Sequence, residues 1–457
     1  MQRRAQIDES KPIWRTMAVF LIPLMLSNVL QSASGTFTSI YLGRMIGVGA
    51  LAAASSIFPM LFFLISFFIG ISSGSTVLIG QAFGANDRVR IERVAGTTLA
   101  IALGLGTVIG IIGYVADEPI LRLIGTPSDI FTDAAAYARI IFVTMPITFV
   151  FLGYTTFIRG VGDSRTPFFV LIVTTGLGIA FTPLLILGKL GMAPLGVISA
   201  PIANISATAL GLIALFVVLE RRQDALALSK LVPYIRFNGT IALALLRIGL
   251  PTGIQFVMVS LSEIAVIAFV NRFGSQATAA YGAVNQVVSY VQFPAISIGI
   301  ASSIFGAQSI GAQRFDRLRS IVRSGVVLNY VIGGALISSV YLFSWIILGA
   351  FMRDASTLSI AHSLLVITLW SYAIFGNNAV LSGVMRSSGT VLWPTLISVF
   401  SIWGVEVPIA YALSQHTTLG LRGIWIAYPI AFATGLIFQT TYYKLVWRKR
   451  DIHAIAV

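Results

Sequence analysis

Apolar runs of roughly twenty residues alternate with short polar stretches along almost the whole chain. The runs fall near 17–40, 49–76, 94–115, 134–158, 167–187, 195–219, 243–269, 279–305, 322–349, 359–384, 393–414 and 420–446. Each is long enough to cross a hydrocarbon core of about 30 Å as a helix, and a backbone facing lipid must bond to itself. The pattern therefore predicts an all-α integral membrane protein with twelve transmembrane helices. The first run begins near Thr16 without a small-residue cleavage pattern and reads as a span rather than a signal.

Composition agrees. The 457 residues are 57% hydrophobic and only 10% charged, against about 25% charged in soluble domains. There is no cysteine, which excludes disulfides and thiolate metal sites. The net charge of +14 suggests nucleic acid at first, but its distribution argues otherwise. Of 30 Lys and Arg, 23 fall at the termini, in the even-numbered loops or at their edges. The other seven are Arg44, Arg122, Arg139, Lys189, Arg272, Arg353 and Arg422. Basic loops stay cytoplasmic, so both termini are expected inside, in a multi-pass protein of the inner (plasma) membrane, with no nucleic-acid partner.

Two separated stretches repeat at one offset. "GQAFGANDRVR" (80–90) echoes "AQSIGAQRFDR" (307–317), and "RGVGDSRTP" (159–167) echoes "RSSGTVLWP" (386–394), each 227 residues apart. This predicts two pseudo-symmetric six-helix bundles. The expected boundaries are an N-terminus 1–16, an N-lobe 17–219, a linker 220–242, a C-lobe 243–446 and a tail 447–457. Six spans per copy put both copies in the membrane the same way round, which suits alternating access.

Catalytic and metal motifs fail on context. "GISSG" (70–74) matches a nucleophile elbow but lies inside a span, where small residues let helices pack closely. No P-loop lysine pattern occurs. His362, His416 and His453 have no partner at metal-ligand spacing. An enzyme, a bound metal and a cofactor are not expected.

The order and spacing of "GRMIGVGALAAASS" (43–56), "GQAFGANDRVR", "IRGVGDSRTP", "PLGVISAPIANISA" (194–207) and "GVMRSSGTVLWP" resemble the multidrug and toxic compound extrusion family, MATE, over nearly the whole chain. The resemblance implies a secondary exporter that exchanges organic, often cationic, small molecules for protons or sodium ions. It also implies N-lobe cation ligands that this chain lacks: Thr38, Gly178 and Thr182 stand where many members carry acidic or amide residues. An Asp often found in the tenth span falls near Phe375, beside Asn377 and Asn378.

Of sixteen acidic residues, only Glu263 and Glu406 lie deep within spans. A carboxylate at that depth costs a few kcal/mol, so it usually faces the bundle interior and marks function. Glu263 matches the seventh-span glutamate of the family. Ion coupling is therefore expected in the C-lobe, at Glu263 and Glu406 with Asn377, Asn378 and Ser260. The coupling ion is a proton, or else a sodium ion held at Glu263. A protonated carboxyl there is only a polar group needing a hydrogen bond. Gln31, Phe37, Gln255, Phe256, Asn285, Gln286 and Tyr290 are the expected cavity lining, with aromatic faces for flat or cationic cargo. The expected partners are small organic substrates and the bilayer, and the expected state is a monomer. The alternative is a lipid-linked oligosaccharide flippase of the same architecture. It would need a cationic cavity for pyrophosphate, whereas basic residues such as Arg139 and Arg323 sit near span ends.

Overall fold

The computed structural model describes residues 12–189, 193–352 and 354–456. Arg3, Arg4, Lys11 and Arg353, counted above among the loop cations, lie outside them. Twelve helices among the described residues are long and apolar enough to span a membrane. They are α1 (Ile13–Ile46), α2 (Val48–Gly84), α3 (Arg88–Val115), α4 (Phe131–Gly160), α5 (Arg165–Ile186) and α6 (Gly196–Arg221). The second six are α7 (Gly239–Asn271), α8 (Ser275–Gly311), α9 (Asp316–Leu342), α10 (Ala355–Arg386), α11 (Leu392–His416) and α12 (Leu421–Lys449). Order and number agree with the apolar pattern. Differences are confined to the ends, where helices run past the apolar run into polar turns, as α2 does to Gly84.

The repeat is visible in the backbone. Left-handed residues pair at the same offset of 227: Gly47 with Gly274, Asn86 (φ 57°) with Gln313 (φ 57°), and Gly162 (φ 86°) with Gly389 (φ 81°). Equivalent turns after α2 and α8, and after α4 and α10, thus need the same unusual backbone, which Gly and Asn adopt most cheaply. The packing of α2 on α4 and of α8 on α10 is conserved by exchange. Gly160 leaves room for Ile79 in the first copy, and Gly306 leaves room for Ser387 in the second. The "GISSG" stretch packs as expected: a Cβ on Gly74 would lie 2.9 Å from the carbonyl oxygen of Leu245 on α7.

The described residues form two compact units. One runs from Leu26 to Gly249; the other runs from Leu250 to Ala456 and includes the start of α1 up to Met25. Both unit boundaries fall inside helices, α1 and α7, instead of at the charged loops. The reason is packing. Met17, Phe20, Leu21 and Leu24 of α1 are buried against Ile298, Ala301 and Phe305 of α8. In the other unit, the start of α7 lies against α2, where Gly249 meets the backbone of Ile71.

The copies differ in regularity. α3, α4 and α5 are continuous α-helices. Their counterparts are interrupted: α9 by a π turn at Asn329–Gly333, α10 by a 3-10 turn at Leu369–Ser371, and α11 by a π turn at Phe400–Glu406. Interruptions inside long helices re-aim side chains and recur at functional places.

Candidate functional site

Glu406 ends the π turn of α11 and is buried, at 4% exposure. The extra residue in that turn shifts the register of everything after it by about 100°, which is what turns an otherwise outward position inward. Trp403, in the same turn, donates its indole N–H to the carbonyl of Met258 on α7, 3.0 Å away. That bond fixes α11 beside the helix that carries Glu263.

Counted from that bond, Glu263 is five residues on along α7 and Glu406 three residues on along α11, which brings the two within electrostatic reach. The two differ in setting: Glu263 is exposed on the surface of its unit, Glu406 is enclosed. The sequence places Glu263 in a largely apolar run, next to Ser262; the structure leaves Glu263 at an exposed position of it.

Three tyrosines complete the cluster. The hydroxyls of Tyr281 (α8) and Tyr428 (α12) are hydrogen-bonded at 3.0 Å. Tyr281 also engages the side chain of Asn285 one turn on, and it lies within electrostatic reach of both glutamates. Tyr372, just after the 3-10 turn of α10, feels both glutamates as well. Its ring meets Phe432 edge-on at 5.3 Å, and Phe375 and Tyr428 pack on the same ring at 5.4 and 6.3 Å. Five helices, α7, α8, α10, α11 and α12, therefore bring two carboxyls, three phenols and one amide together on an aromatic support.

This arrangement can hold and release a cation or proton. Two carboxyls in one cluster offer acidic oxygens to either a cation or a proton. The phenols can donate to a charged carboxylate or accept from a protonated one.

The other expected ion ligands are arranged differently. Asn377 is buried and both ends of its amide are committed: its oxygen accepts from Asn329 at 3.2 Å and its nitrogen donates to the Tyr330 hydroxyl at 2.8 Å. Asn329 also donates to the carbonyl of Ala373, so this network ties the π turn of α9 to α10. Asn378 donates to the carbonyl of Phe432 at 3.1 Å, and its buried oxygen has no partner. Ser260 bonds back to the carbonyl of Phe256 at 3.2 Å. The amides thus brace α9, α10 and α12 around the cluster.

Of the expected cavity residues, Phe256 and Tyr290 are exposed, while Gln255, Asn285 and Gln286 are half-buried in the same unit. Gln31 and Phe37 are exposed on α1 within the other unit. There, Thr38 and Thr182 donate to carbonyls of their own helices, at Ser34 (3.0 Å) and Gly178 (2.7 Å). No group of three His, Asp or Glu among the described residues could hold a metal ion. His362 stacks on Trp345 at 4.3 Å and His416 meets the edge of Tyr411.

Tyr281, Tyr372 and Tyr428 escape a reading that looks for charge. A comparison of the copies would have found them. Glu263, Tyr281, Tyr372, Glu406 and Tyr428 stand opposite Thr36, Ala54, Met145, Ile179 and Pro201 at the offset of 227. Titratable groups that one copy adds inside spans, and the other lacks, mark where the copies have diverged.

A duplicated twelve-helix membrane protein with an acidic cluster in its second half, one carboxyl on a continuous helix and one at a π turn, has the build of a secondary transporter. The family is settled by comparison: the MatE model matches twice, at residues 23–184 and 251–412, and the chain belongs to that family. It is 52% identical to the probable multidrug resistance protein YoeA of Bacillus subtilis over 97% of this chain and 96% of the relative. It is 25% identical to the probable multidrug resistance protein NorM of Thermotoga maritima, over 97% and 95%. Its fold matches a crystal structure of MATE in complex with MaD3S, with a TM-score of 0.87 over 96% of this chain and 98% of that one at 20% identity.

Proposed function

We propose that the chain is a secondary active multidrug exporter that drives organic, cationic or neutral amphiphilic compounds out of the cell against uptake of a cation, by alternating access. The observation that carries the reading is the pairing of Glu263 and Glu406 with a ring of phenols, in a chain whose relative at 52% identity is a probable multidrug resistance protein. One acidic cluster can serve cargo and ion in turn. A positively charged cargo and a proton compete for the same negative charge, and that competition links the two fluxes without a separate relay.

A proton fits the cluster better than sodium. Sodium needs several oxygen ligands around it; the amide oxygen of Asn377 is taken by Asn329, which leaves Asn378 alone of the two amides with an oxygen unengaged. Purified protein in liposomes separates the two. Export should follow an imposed pH gradient with sodium absent from both sides, and should fail under a sodium gradient at equal pH. The reverse pattern would replace the proton with sodium.

The basic loops support cytoplasmic termini, in a plasma-membrane protein. Arg221→Cys sets an exposed thiol at the end of α6 in a chain with no other cysteine. It should react with an impermeant thiol reagent in inside-out vesicles and resist it in intact cells. Labelling in intact cells would invert the topology.

A further inference from the structure

A cavity of about 350 Å³ opens where α3 and α7 begin, and a smaller one of about 210 Å³ adjoins it, both sharing Arg93 and Asn238. We propose that this joint cavity binds the phosphate of an anionic phospholipid headgroup.

The lining is cationic. Arg90, Arg93 and Arg236 face the space, against one carboxylate, Asp87. That carboxylate is committed to capping α3, where it accepts the backbone N–H of Arg90 at 3.0 Å. Arg93 and Arg236 are exposed and form no ion pair among the described residues. Two long helices also start here, α3 at Arg88 and α7 at Gly239, and their positive ends add to the field. Asn238 caps α7 through Thr240 and Ile241, which leaves its amide nitrogen able to donate to a ligand.

The cavity is held open by built structure. The 3-10 turn Val232–Tyr234 lies so close to α3 that a Cβ on Gly96 would collide with the carbonyl of Tyr234. The linker is thereby pressed onto α3 at one point and stands off it at the arginines. Topology alone asks for basic residues in this loop but not for a cavity among them. The second copy keeps Arg317 opposite Arg90, yet has Ser320 opposite Arg93.

Position and surroundings select a lipid. The cavity lies at the starts of two membrane-spanning helices, which is headgroup depth. Val89, Val232 and Phe237 are exposed around it at 45%, 57% and 73%, and they offer an apolar seat for acyl chains. Its volume falls within the range of small-ligand sites, roughly 300–1,000 Å³. Arginine suits a phosphate because its planar fork donates two parallel bonds.

The test uses the full-length protein in detergent and measures binding of phosphatidylglycerol, phosphatidylcholine and inorganic phosphate by native mass spectrometry and by thermal protection. Phosphatidylglycerol should bind at least tenfold more tightly than phosphatidylcholine. The R93Q/R236Q variant should lose that preference, while R93K/R236K keeps most of it. Melting without added lipid should be the same for all three proteins, which shows that the fold survives. Equal affinity for phosphatidylglycerol in the parent and R93Q/R236Q, or equal affinity of the parent for both lipids, would overturn the site. Protection by millimolar inorganic phosphate that matches phosphatidylglycerol would overturn the assignment to a lipid.

Discussion

Glu263→Gln is expected to insert and fold normally and to lose uphill export, leaving only downhill equilibration of cargo. Glutamine matches the size and hydrogen bonding of a protonated carboxyl and can never release the proton. In liposomes with an imposed pH gradient, the steady accumulation of a fluorescent cationic cargo should fall from well above unity to about one. Binding of that cargo should weaken by tenfold or more, because one close opposite charge in a low dielectric contributes more than ~1.4 kcal/mol. Glu263→Asp should retain part of the export. A Gln variant that pumps at the parental rate would make Glu263 structural.

Glu406→Gln is expected to produce a similar loss of coupling without a loss of stability. Glu406 is buried beside a second carboxylate, and no ion pair to it exists among the described residues. Replacing it by a neutral isostere removes no attractive ion pair, so the melting temperature in detergent should hold while uphill export drops at least tenfold. A pair that acts as one unit also makes the double variant little worse than either single one. If Glu406→Gln melts lower and still pumps, the residue only holds α11 in place and Glu263 acts alone.

Much of the fold is legible in the sequence because a bilayer imposes it. Twenty apolar residues have one way to satisfy their backbone in lipid, so the twelve spans follow from hydropathy. The repeat is equally plain, since turns such as Asn86 and Gln313 demand the same rare backbone and leave the same residue types behind. The unit boundaries are not legible. Charge marks where the chain leaves the membrane, whereas the units are divided by packing inside α1 and α7, at Met25–Leu26 and Gly249–Leu250, which look like any other apolar span residues.

The site is legible in part, for a similar reason. A carboxyl inside a span is conspicuous, so Glu263 and Glu406 stand out. Their proximity depends on the π turn at Phe400–Glu406, whose residues carry no pattern that announces an extra residue per turn. Tyr281 and Tyr428 look like ordinary span aromatics until the fold joins their hydroxyls. Asn377 shows the converse. Its type and depth suggest an ion ligand, and the structure spends both ends of its amide on α9.

The central claim is that cargo and proton contend for the charge of Glu263 and Glu406. Proton release on cargo binding tests it most directly. Purified protein is held in detergent at weakly buffered, near-neutral pH, a cationic cargo is added, and the pH is followed with an indicator dye. The account predicts release of a substoichiometric to equimolar amount of protons by the parent and none by the E263Q/E406Q double variant. Equal release by both proteins, or cargo binding by the parent with no release at any pH between 5 and 9, would contradict it.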